Sequence, residues 1–214
     1  DVLDGALAGG LLGLTAVNNH PTEWLRSPRV VLSESPEGSL ALASSQPPEP
    51  DLAPGQHLRI AVRLQLVGVG DCPKDRLELV LEGALGQQTV RSPPFTPTPR
   101  QLRCRTRKQS FVFTFLDADG SVQHAAAVAP DAGVACGGSR ELGCPVVVTL
   151  HGTSISASDS ADAFKRKEKG DEDYRFGVSG AWLLAPTRHG AHNWEGPGQE
   201  TALSALAALP GVAA

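Results

Sequence analysis

A chain of 214 residues is long enough to bury a full core, as one large domain or two small ones. Its formal net charge of -4 and pI near 5.9 leave no basic field, so no nucleic acid and no anionic membrane surface is expected as a partner. Seventeen prolines and 23 glycines beside 5% aromatic residues favour strands divided by turns over long helices.

The chain opens on Asp1 and holds no methionine, which reads as a processed piece or a fragment. The first apolar stretch, LAGGLLGLTAV from Leu7, lacks a basic flank and is too short and Gly-rich to span a bilayer. A buried strand or a loose end is expected there, with a leftover signal-peptide core as the alternative.

From Trp24 to Arg107 short strand-like runs alternate with turn signals: PRVVLSE, GSLALASS, QHLRIAVRLQLVGV, DRLELVLEG and QQTVRS. In HLRIAVRLQLV the apolar residues Leu58, Ile60, Val62, Leu64 and Leu66 recur at every second position, the pattern of a strand with one buried face. The intervening SQPPEPDLAPG and SPPFTPTPR are too rich in proline to continue a central strand. Strands so spaced predict a β-sandwich-like N-terminal domain, and a β-rich accessory domain is assigned to residues 1–108.

The texture changes near Gln109. SFVFTFLDADGSVQHAAAVAP places Phe111, Phe113 and Phe115 on one face, turns at Asp117 to Gly120 and returns, which predicts a hairpin. DADG lacks the further acidic ligands that a calcium loop needs, so the turn is the expected role. VVVTL then reads as a strand buried on both faces, SASDSADAFKRKEK as a helix with Ser and Asp at its start, GAWLLAPTRHG as a buried strand and its loop, and QETALSALAAL as a helix. Strand, helix, strand and helix after a hairpin predict an α/β C-terminal part with parallel crossovers over 109–214. The charge run KRKEKGDED from Lys165 is expected to be a solvated face.

Four cysteines fall into two neighbouring groups, Cys72 with Cys104 and Cys136 with Cys144. They suit two disulfides in an oxidising compartment, and hence a secreted protein or an extracytoplasmic lumen. Three pairings satisfy the sequence, and four buried thiols in a cytosolic protein are the alternative.

Ligands of an α/β sheet bind at the carboxyl ends of its parallel strands, here the residues after VVVTL and after WLLAP. The first end carries His151, Gly152, Thr153 and Ser154, a turn whose backbone N–H groups are expected to face a crevice. The second packs Arg188, His189, His192, Asn193, Trp194 and Glu195 into one short loop. His151, Arg188, His189, Asn193 and Trp194 are the candidate substrate-binding residues, with Trp194 as an apolar wall and Arg188 or Asn193 as polar anchors. His189, His192 and Glu195 have ligand chemistry, but H-x-x-H in a Gly-rich loop is not the H-E-x-x-H helix, and no C-x-x-C occurs. No metal and no other cofactor is expected.

Taken in order, the hairpin, the strand ending in His-Gly, the capped helix and the strand ending in APTRHGAHNWEGPG resemble the first half of an α/β-hydrolase. The likeness is to the secreted esterase, polyhydroxybutyrate-depolymerase-like and prolyl-oligopeptidase-like kind, and it covers about Gln109 to Leu209. The resemblance implies an incomplete α/β-hydrolase sheet. It further implies that Gly152 and Thr153 lend backbone N–H groups to an oxyanion hole, with His151 shaping the turn. The substrate would be a small-molecule ester or a peptide. The family's nucleophile sits in G-x-S-x-G, and none occurs here; GVSGA around Ser179 lacks the second glycine and precedes a strand. Nucleophile, acid and base are therefore expected beyond Ala214, this chain alone is expected to be inactive, and VVVTL is expected to expose the edge that the elbow strand would cover. The competing expectation is a non-catalytic secreted binding module in which the N-terminal β-domain does the work.

Overall fold

The fold is given by a computed structural model that describes residues 1–33, 40–43, 49–67, 72, 77–97, 102–131, 143–167, 177–187 and 193–213. In chain order the strands are β1 (Val2–Leu3), β2 (Ala6–Leu7), β3 (Leu11–Val17), β4 (Leu25–Leu32), β5 (Leu40–Leu42), β6 (His57–Leu66), β7 (Leu79–Leu85), β8 (Gln88–Arg91) and β9 (Cys104–Arg105). There follow β10 (Phe111–Leu116), β11 (Val122–Val128), β12 (Val146–Val148), helix α1 (Ala157–Asp162), β13 (Trp182–Pro186) and helix α2 (Pro197–Ala213). The chain divides into two compact units: Gly10–Arg103, and Cys104–Ala214 together with the first nine residues.

In the Gly10–Arg103 unit the apolar alternation of HLRIAVRLQL becomes β6, with Ile60 and Val62 buried and His57, Arg59 and Arg63 exposed. It is the centre of a three-stranded antiparallel sheet in the order β3-β6-β5, and a second antiparallel sheet runs β4-β7-β8. Ile60, Val62 and Ala16 from the first sheet and Leu25 from the second meet in one core with Leu52, as a sandwich requires. LAGGLLGLTAV holds β3, so its strand reading is the one the structure takes.

The other unit is built on a four-stranded sheet in the order β10-β11-β13-β12. The β10–β11 hairpin pairs Phe111 with Ala127 through Leu116 with Val122, and its turn closes with Asp117 N–H donating to Ser121 O (2.8 Å) and Gly120 N–H to Asp117 O (2.9 Å). Because side chains alternate across a strand, the sheet buries two faces. Phe111, Phe113, Phe115, Trp182 and Leu184 pack with Ala205 and Leu209 of α2, whereas Ala126, Val128, Leu183 and Ala185 pack with Ala157 and Ala161 of α1. A separate small sheet, β2-β1-β9, adds Leu3 to the first of these cores.

This architecture corrects the expected α/β C-terminal part. Strands hold 43% of the structure in four small antiparallel or mixed sheets and only two helices occur among the described residues, so the fold is β-rich. The reason lies in the pairing: within the β10-β11-β13-β12 sheet β11 runs antiparallel to both β10 and β13, and β12 with β13 is its one parallel pair among the described residues. The helix predicted through KRKEK also shrinks to the six residues of α1. Ser156 caps it as expected, accepting from Asp159 N–H at 3.0 Å. Beyond Asp162 the chain leaves the helix, and Arg166 turns its guanidinium to Asp131 (2.9 Å) and to the Gly177 carbonyl (3.3 Å). Nor is VVVTL buried on both faces: among the described residues β12 is the sheet edge, and Val147 and Val148 are each 37% exposed. The last six residues of KRKEKGDED, from Glu168, lie outside the described residues.

Cys72 and Cys104 form a disulfide, and Cys144 is disulfide-bonded too, which removes the free-thiol alternative for these three. Cys136 lies outside the described residues. No helix among the described residues is long and apolar enough to cross a membrane.

Candidate functional site

The parallel pair β12–β13 puts two loops side by side, because parallel strands end at the same side of a sheet. The ladder extends through Thr149, whose N–H donates to Leu184 O at 2.8 Å. Immediately beyond it the chain turns through His151, Gly152, Thr153 and Ser154. Ser154 takes a positive φ of 67°, and Ile155 N–H reaches back to Gly152 O at 3.4 Å. The Thr149 and Ser160 hydroxyls stand 3.2 Å apart, tying the strand end to α1.

From the second loop comes Trp194. Its indole N–H donates to the His151 carbonyl at 2.9 Å, and its ring meets the His151 imidazole edge to face, centroids 5.5 Å apart at 88°. His151 Nδ1 lies 3.0 Å from the Gly152 carbonyl. A carbonyl only accepts, so this contact places a proton on Nδ1. Nε2 is buried and has no hydrogen-bond partner among the described residues.

Gly152 is the open point of the turn. A Cβ built on it would have no heavy atom within 4 Å, and its φ is not positive, so neither packing nor backbone strain demands glycine there. Its carbonyl is engaged, whereas its N–H donates to nothing among the described residues. A backbone donor on an exposed residue is able to receive a carbonyl or carboxylate oxygen. Thr153 is exposed next to it.

Of the predicted site residues, His151, Gly152, Thr153 and Trp194 are therefore brought to one place. Asn193 is exposed beside Trp194, and its carbonyl accepts from Glu195 N–H at 2.8 Å. Arg188 and His189 lie outside the described residues, as does His192. Among the described residues no three His, Cys, Asp or Glu side chains gather as metal ligands. Two supporting contacts had no local signal. Thr201, fully buried in the first turn of α2, hydrogen-bonds the Asp117 carboxylate at 2.6 Å and Pro197 O at 2.9 Å, across 84 positions of sequence in the first case. The hydroxyl contact between Thr149 and Ser160 is the other.

Neither a family model, nor a curated protein, nor a solved structure matches this chain.

Proposed function

We propose that the turn at His151 to Ser154 is the oxyanion turn of a serine hydrolase that cleaves an ester or a peptide bond by acyl transfer. The observation that carries this reading is the Gly152 N–H, a backbone donor without an acceptor among the described residues, in an exposed turn just beyond the carboxyl end of a parallel strand. Attack on an acyl carbon moves negative charge onto the carbonyl oxygen, and a donor already aimed there lowers the barrier. Loss of one such donor costs about 3–4 kcal/mol, or about 10²–10³ in rate. Gly152 N–H serves as the donor, with no cofactor in the reaction. The resemblance of residues 109–209 to secreted esterases and prolyl-oligopeptidase-like enzymes supports the same role. The 214 residues contain no G-x-S-x-G, so the reading requires nucleophile, acid and base from outside them. The disulfides support secretion or an extracytoplasmic lumen.

The test is a fluorophosphonate probe on the full-length protein. One serine is expected to be labelled, and Gly152→Val is expected to abolish labelling while leaving the thermal midpoint unchanged, since its side chain meets nothing in the fold. A folded full-length protein that takes no label overturns the proposal.

A non-catalytic secreted binding module is the second reading, favoured by Trp24 in the Gly10–Arg103 unit. Its side chain is 46% exposed, and the Arg26 guanidinium lies 5.2 Å from its ring centroid. Ligand binding that disappears in Trp24→Ala, in a protein that the probe does not label, would establish this reading over the first.

A further inference from the structure

We infer that Trp194 is a positioning residue of the oxyanion turn, acting through the His151 carbonyl to aim the Gly152 N–H. The inference rests on the reading above and gives Trp194 a different task from that of a wall against the substrate. The peptide joining His151 to Gly152 is planar and trans, so its C=O and its N–H point in opposite directions. The indole N–H holds that carbonyl at 2.9 Å, and by doing so it directs the Gly152 N–H away from the indole, at a residue that is itself exposed.

Two further contacts keep the peptide from rotating. The imidazole bridges to the next carbonyl through Nδ1 at 3.0 Å, and the Trp194 ring edge packs on it at close to a right angle. The indole is itself anchored. Its loop closes through Glu195 N–H to Asn193 O (2.8 Å) and Gly198 N–H to Glu195 O (3.3 Å), and runs directly into the α2 turn where buried Thr201 bonds Asp117. A glycine peptide left alone samples many orientations. Fixed in this way, the donor costs no reorganisation when charge develops on the substrate oxygen.

Two replacements separate the N–H from the ring: Trp194→Phe, and benzothienylalanine at the same position, which keeps the bicyclic shape and lacks the donor. In the 214-residue chain, each is expected to move the Gly152 amide resonance and speed its hydrogen exchange, with the thermal midpoint held. In the full-length protein acting on p-nitrophenyl acetate, each is expected to lower kcat about tenfold to a hundredfold with KM unchanged. Unchanged kcat, or a raised KM at constant kcat, overturns the positioning role, the latter in favour of a substrate wall. An unmoved Gly152 resonance overturns it as well. Absence of hydrolysis and of probe labelling in the wild type overturns the serine-hydrolase reading itself, and the catalytic role of Trp194 with it, even where the amide resonance responds.

Discussion

At Gly9 the backbone admits no side chain: φ is +82°, and a Cβ there would stand 1.9 Å from the Thr114 carbonyl oxygen. Both the strained dihedral and the overlap act against any substitution, and because the obstacle is backbone it cannot swing aside. Gly9→Ala is expected to destabilise the protein by about 2–4 kcal/mol, read as a lowered urea midpoint at unchanged m. Gly152 is the opposite case, a glycine at which a Cβ would meet nothing within 4 Å. Asp51 illustrates charge at the same scale. Its carboxylate accepts from Arg26 Nη1 at 2.6 Å and from Ser27 N–H at 2.8 Å, and these bonds hold its pKa below the usual carboxylate value. They also sustain Ser27 at a φ of 47°, a conformation that a serine adopts only with help. A depressed folded pKa contributes stability above the unfolded value of about 4, and that contribution is lost as pH falls through the folded value. Asp51→Asn is therefore expected to lower the thermal midpoint at pH 7, and the gap from wild type is expected to close as pH falls from about 4 towards 2. Sequence shows none of this, because Asp51 lies in a proline-rich stretch that reads only as a break between strands.

Among elements, α2 shows how one buried hydroxyl fixes a helix. Thr201 is fully buried, with its oxygen between the Pro197 carbonyl and the Asp117 carboxylate of the β10–β11 turn. Thr201→Val keeps the shape and removes the donor. It is expected to cost about 1–3 kcal/mol by urea denaturation, with Thr201→Ser restoring most of it. The elements most legible in the sequence are those whose period matches their burial: β6 from its alternation, the β10–β11 hairpin from three phenylalanines and an Asp-Gly turn, and β13 from an unbroken apolar run. Those that misled were judged by composition without a partner. VVVTL has the residues of an interior strand, yet burial belongs to neighbours, and among the described residues β12 has one on a single side only. SASDSADAFKRKEK has a good helix start, yet the helix stops at Asp162, and Arg166 beyond it bonds an Asp131 carboxylate far away in sequence. The candidate site followed the same division. The turn after β12 was visible as a strand ending in His-Gly, whereas the indole bond to His151 joins residues 43 apart and has no local pattern to announce it.

For the whole molecule, the β-rich character was legible in proline, glycine and the short alternating runs, and it extends further along the chain than the helix-forming stretches suggest. The three small sheets besides β10-β11-β13-β12, two of them in the Gly10–Arg103 unit, account for that weight. Covalent closure belongs to this scale as well. With Cys72 joined to Cys104 and Cys144 also bonded, mass spectrometry of a non-reduced digest is expected to find Cys136 linked to Cys144. A Cys136 that takes up alkylating reagent without reduction would contradict it.

The edge of β12, unpaired among the described residues, has a kinetic consequence. Trp182 N–H bonds Pro145 O and Thr149 N–H bonds Leu184 O, so in this parallel ladder the backbone groups of Val146 and Val148 alternate away from β13. They form a short template of fixed polarity, flanked by partly exposed valines. Two copies joining there must first collide, so loss of dissolved chain by this route is second order: doubling the concentration halves its soluble lifetime, while a strand supplied within the same polypeptide would silence the process at every concentration.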